Sequence, residues 1–200
     1  MRTSDCVAGG WLISAGLAAM ACEGGLPEPG VQAPNDPVQV SLPAPKMEKL
    51  GDYEFEALAT LKLEARVLGK ERYWFGRESE LAPYDLALGW GAMSDSAIYG
   101  KLEIEQYGRW YHYRWDAKGP PIPVDEIIRH SGNMHVIPAN GDVKSALAAV
   151  CRHDIVRLEG YLVEIRGSDG WRWRSSLSRQ DSGAGSCEVM VVKKVELRPP

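Results

Sequence analysis

From Tyr53 to Val67 the chain alternates. The odd positions Tyr53, Phe55, Ala57, Ala59, Leu61, Leu63, Ala65 and Val67 are apolar, while Glu54, Glu56, Thr60, Lys62, Glu64 and Arg66 between them are polar. Successive side chains of a strand point to opposite faces, so this period of two predicts a long, half-buried strand. Arg72 to Phe75 is read as a short second strand. Residues 101–115, "KLEIEQYGRWYHYRW", predict two strands with a kink at Gly108. Trp110, His112 and Arg114 share one face there, and Tyr111, Tyr113 and Trp115 share the other, more apolar face. "MHVIP" is a short strand stopped by Pro138. Residues 154–167 carry apolar side chains at both parities, which predicts a central strand with both faces covered. "GSDG" then turns the chain. Trp171 and Trp173 alternate with Arg172 and Arg174 on the return, and 187–197 forms the final strand.

Helical spacing is sparser. Pro83 is expected to open a short helix through Leu88. Residues 124–131 read as one or two turns, with Asp125 and Glu126 at the positive end. Asn140 or Asp142 caps a helix carrying Val143, Leu147 and Val150 at helical intervals. Gly89 and Gly91 flank Trp90, which suits a large ring plugging one end of a core. The expected fold is mostly β (α+β): a small antiparallel barrel, OB-like, with one or two short helices. Gly160, inside the long strand, marks a bend at a barrel corner.

The first fifty residues follow neither period. Val7 to Ala21 is an uncharged apolar run after Arg2, shorter than the roughly 20 residues of a spanning helix and suited to a signal segment. "LAAMAC" resembles a bacterial lipobox, with Ala19 where an aliphatic residue is usual; that resemblance makes Cys22 the lipidated residue. Residues 22–51 contain Pro27, Pro29, Pro34, Pro37, Pro43 and Pro45, which predicts an extended, solvated tether. The expected division is a signal peptide at 1–21, a Pro-rich tether at 22–51 and a β-rich domain at 52–200.

Export changes the reading of the cysteines. With Cys6 removed and Cys22 acylated, Cys151 and Cys187 remain as a natural disulfide pair in an oxidising compartment. The segments "DLALGWGAMSD" (85–95), "RWYHYRW" (109–115), "SGNMHVIPAN" (131–140), "LEGYLVEI" (158–165) and "GWRWRSSLSRQDSGAGSCE" (170–188) resemble an uncharacterised family of exported bacterial proteins. The resemblance covers most of the chain from about residue 60 onward. It implies an exported location, in the periplasm or at the cell surface, and carries no catalytic residue.

Two chemistries compete. The first is binding. Arg109, Trp110, Arg114 and Trp115, then Trp171, Arg172, Trp173 and Arg174, form aromatic–basic stripes, with Trp110, Arg114, Trp171, Trp173 and Arg174 as the favoured binding residues; planar guanidinium and indole groups stack on flat or anionic ligands. In the envelope such a surface meets a glycan, peptidoglycan or another envelope protein. The formal net charge of −4 argues against nucleic acid. The second is acyl transfer. Cys187 with His130 or His135 as base, oriented by a polar group such as Asn133 or Asp181, and with Arg174 or Arg179 on the developing oxyanion, resembles the element order of sortase-like transpeptidases. No arginine stands in the expected final strand, where Lys193 and Lys194 occur instead. His130 and His135 are five residues apart across Gly132, a poor spacing for metal ligands on one helix, so no metal or cofactor is expected. The leading expectation is an exported, lipid-anchored binding or scaffolding domain of the cell envelope. Its membrane contact is the lipid itself.

Overall fold

The computed structural model describes residues 24–178 and 187–198. The expected signal peptide, Cys22, Arg179 and Asp181 lie outside these residues. Nine strands run in chain order: β1 (Val38–Leu50), β2 (Tyr53–Arg72), β3 (Tyr84–Gly89), β4 (Glu103–Tyr107), β5 (Trp110–Arg114), β6 (Ser131–Pro138), β7 (Ile155–Arg166), β8 (Arg172–Arg174) and β9 (Glu188–Arg198). The helices are α1 (Arg77–Leu81), α2 (Ser96–Tyr99), α3 (Val124–Arg129) and α4 (Gly141–Ala149), with a 3₁₀ turn at Gly91–Ser94. The fold is mostly β, as expected, but carries four α-helices rather than one or two. None of the helices among the described residues is long and apolar enough to cross a membrane.

Seven strands form one sheet in the order β1-β2-β3-β6-β9-β7-β8, and β4 and β5 form a separate hairpin. β2 also pairs with β7, so pairing passes from β2 through β3, β6, β9 and β7 back to β2. All of these contacts are antiparallel except β6 with β9. The alternation along β2 accounts for its place. Leu61, Leu63, Ala65 and Val67 pack with Leu86, Leu88, Val136, Leu158, Met190 and others in one core. Trp90 joins that core at 4% exposure, the plug expected of it. The space bounded by Leu61, Leu88, Trp90 and Met134 measures about 10 Å³, no more than one water needs. A second core lies on the other face of β9, where Val189 and Val191 meet Phe55, Ala57, Val163 and Ile165. The glycine at 160 sits at a register shift between β7 and β9, and a Cβ there would stand 2.1 Å from the Val191 carbonyl oxygen.

Three local expectations are corrected. Residues 84–89 form a strand rather than a helix, because every one of them is buried and both faces of β3 are covered. The helical turn falls before Pro83, at α1. Arg72 to Phe75 is not a separate strand; β2 runs on to Arg72 and a turn follows. The segment expected as a solvated tether is largely docked. Its second half is β1, paired with β2 from Val38↔Lys62 to Leu50↔Tyr53. Pro43 and Pro45 fall between Ser41 and Lys46, where the register shifts, so their missing N–H groups interrupt no ladder. Upstream, Ala33 is fully buried and its carbonyl accepts a 2.8 Å hydrogen bond from Gly91 N–H, while Gly30 N–H donates to Asp95 Oδ1.

Gly160→Ala is expected to lower stability by about 1–3 kcal/mol, since backbone rather than a movable side chain must give way. Urea denaturation checks this as a lower midpoint with an unchanged slope.

Candidate functional site

Gly108 and Arg109 make the two-residue turn between β4 and β5, and both have positive φ, 58° and 66°. Such turns match the twist of the flanking strands, and a non-glycine residue there bears a steric cost. Arg109 offsets that cost through its N–H, its carbonyl and both terminal guanidinium nitrogens. Its N–H donates to Tyr73 Oη at 2.9 Å. Its carbonyl accepts from Asn133 Nδ2 at 3.1 Å. Its guanidinium meets Asp85 Oδ1 at 2.7 Å, Ser79 Oγ at 3.0 Å and the Ala82 carbonyl at 3.1 Å. It also lies over the rings of Tyr73 and Trp173.

Asp85 is fully buried on β3 and pairs across the ladder with His135 of β6. His135 Nδ1 stands 2.9 Å from Asp85 Oδ1 but off the line of a hydrogen bond. The imidazole packs against Trp173. Next along β6, Asn133 Oδ1 accepts from Gln106 Nε2 of β4 at 2.8 Å. Cys187 Sγ reaches the same Arg109 carbonyl at 3.8 Å. The structure thus brings together Cys187, His135, Trp173, Asn133 and Arg109, all singled out from sequence, around one residue that was not: Asp85.

The remaining sequence candidates lie elsewhere. His130 caps α3, with Nδ1 3.0 Å from the Glu126 carbonyl and 3.1 Å from Glu126 Oε2, and its ring fills the space beside Gly91. It takes no part in the Cys187 cluster. The expected Cys151–Cys187 bridge is not formed: Cys187 carries a thiol, directed at the Arg109 carbonyl. Cys151 follows α4 and lines a different cleft. Trp171 and Trp173 pack on the second core rather than standing out as ligand platforms. Arg172, Arg174 and Arg166 converge on Glu164, at 3.2, 2.5 and 2.9 Å. Burial raises the Glu164 carboxyl, but hydrogen bonds from Arg166 and Arg174 outweigh it and hold the group below its ordinary range. Arg114 spans Glu103 and Glu105 on the exposed face of the hairpin, and Trp110 lies at its tip, 36% exposed. No group of three or more metal-ligating side chains occurs among the described residues.

Beside the hairpin lies an open cleft of about 790 Å³, within the size range of small-ligand sites. The end of β2 (Lys70, Glu71, Arg72), the edge of β4 (Glu105, Gln106, Tyr107) and Arg152 line it. Lys70 is committed: its ammonium donates to the carbonyls of Leu147, Ala148 and Val150 at the end of α4. Burial, then the charge of nearby Arg72, pushes that ammonium down to about 8, with Asp154 acting the other way. Tyr107, 59% exposed, stacks on His112 with centroids 4.0 Å apart and planes 9° from parallel. Arg72 stacks 3.6 Å over Trp74, itself 66% exposed. Beyond it, Phe75 is 93% exposed. None of these aromatic residues was singled out from sequence except His112, and the only sequence signal was the run "YWF" before a glycine.

Comparison with protein-family models, with curated proteins and with solved structures finds no match.

A third polar group sets an acid response. Arg66 is 2% exposed and bonds the carbonyl of His153, whose Nδ1 lies 3.0 Å from Tyr99 Oη. Burial, then the nearby Arg152 and Arg66, lowers the His153 pKa from its ordinary 6.5. The unfolded chain therefore binds more protons below that value, and the stabilisation present above pH 6.5 is lost as pH falls from there towards the folded-state pKa. The urea midpoint should drop between about pH 7.5 and 5.5. His153→Asn suits the left-handed backbone there (φ 77°) and should flatten that part of the profile.

Proposed function

We propose that this chain is an exported, lipid-anchored binding or scaffolding domain of the cell envelope, built on a small OB-like barrel. The barrel reading is supported by the circuit of pairings from β2 through β3, β6, β9 and β7 back to β2. A parallel contact between the third and last of these strands, with α4 between the third and fourth, matches the element order of that architecture. The export and lipid-anchor readings rest on the apolar segment before Cys22 and on the resemblance to exported bacterial proteins.

The observation that carries the binding reading is how the polar groups are used. Asp85, Arg109, Asn133 and His130 are spent on contacts within the fold, and Asp85 and His135 are 0% and 4% exposed. An acyl-transfer site must admit a substrate to its base, whereas this imidazole is 4% exposed and packed against Trp173. The nearby cleft, by contrast, is open and has the exposed ring of Tyr107 in its wall. The space among Leu61, Leu88, Trp90 and Met134 is too small for a carried ligand. The ligand site in this reading is the open cleft between the end of β2 and the β4–β5 hairpin. Glycan, peptidoglycan or a second envelope protein suits it; nucleic acid does not, given the net charge of −4.

Detergent phase partition of the full chain, expressed in a lipidating bacterium, tests the anchor. The native chain should enter the detergent phase and Cys22→Ser the aqueous phase. Equal partition of the two would remove the anchor from this account.

A further inference from the structure

We propose that the cleft between β2 and β4 takes a short, neutral saccharide, an assignment that rests on the binding reading above and narrows it. The lining mixes charges: Glu71 and Glu105 stand beside Lys70, Arg72 and Arg152. Lys70 is held by the α4 carbonyls and Glu105 by Arg114. A polyanion or a polycation would meet repulsion as well as attraction in such a site. A sugar hydroxyl, in contrast, donates and accepts at once. It is served by carboxylate acceptors and guanidinium donors standing side by side. Gln106 adds an amide held in place, since its Nε2 is already bonded to Asn133.

One exposed ring in the lining, Tyr107, carries the second half of the assignment. Its plane is fixed by stacking on His112. Arg72, also in the lining, is held by its stack on Trp74. A pyranose ring presents a flat face of C–H groups, and the electron-rich face of an aromatic ring attracts their weakly positive hydrogens. A ring already held in one orientation loses little freedom when the ligand arrives. A cleft of about 790 Å³ holds a few sugar rings rather than one.

Backbone-amide NMR titration of the folded chain with chitotetraose and with cellotetraose tests this, beside a heparin hexasaccharide and tetra-alanine. Millimolar neutral tetrasaccharide should shift the amides of Gly69, Arg72, Gln106 and Tyr107, and heparin should not. Tyr107→Ala, with an unchanged circular dichroism spectrum, should weaken the response about tenfold. The map from the unaltered protein stands whether or not that variant folds. Saccharide shifts that are absent, or that map elsewhere, overturn the assignment. Shifts at these amides from tetra-alanine or heparin alone would overturn the saccharide while leaving the cleft a binding site. No response there to any of the four probes would bring down the binding reading with it.

Discussion

A buried carboxylate on a central strand has to be answered, and in this fold Arg109 answers Asp85. An ionised carboxylate with no exposure is tolerated only with a cation and hydrogen bonds beside it. Arg109 reaches it from the tip of the β4–β5 hairpin, 24 residues further along the chain. The same residue ties together Tyr73, α1 through Ser79 and Ala82, β6 through Asn133, and β8 through Trp173. Its left-handed backbone is sustained because so many neighbours fix it.

The position of the hairpin follows from that contact. One hairpin face, with Tyr111 and Tyr113, packs on Leu68, Tyr99, Leu102 and Ile127 in a third core. The other face presents Glu105, Tyr107 and His112 outward. The gap between the hairpin and the end of β2 is the cleft, so the latch on Asp85 also sets the wall of the open site. The N-terminal segment does comparable work at another margin of the sheet, where Ser94 and Asp95 side chains hold the backbone of residues 30–33.

The strands that alternate cleanly, β2 and the β4–β5 pair, were legible in the sequence, as were the central β7 and the α4 cap at Asn140, whose Oδ1 accepts from Val143 N–H. What misled is equally specific. β3 has both faces buried and therefore no period, and Pro83 before it imitates a helix start although it follows one. β1 is an edge strand whose prolines sit at a register shift, so composition described a tether where pairing makes a strand. Trp171 and Trp173 alternate with arginines in the way of a binding stripe, but the second core needed covering and took them. Asp85 and Arg109 could not be joined from sequence, because nothing local marks a carboxylate inside a strand and an arginine at a turn as partners. Which histidine approaches Cys187 was left open by the sequence; in the fold Cys187 and His135 meet the same cluster through Arg109 and Asp85.

The central claim is that Arg109 holds the β4–β5 hairpin on the sheet. Native-state hydrogen exchange of Arg109→Met, compared with the unaltered chain, tests it most directly. The account predicts that amides of β4 and β5 lose protection first and most, with β2 and β7 little changed. Uniform loss across the sheet, or a hairpin as protected as before, would contradict it.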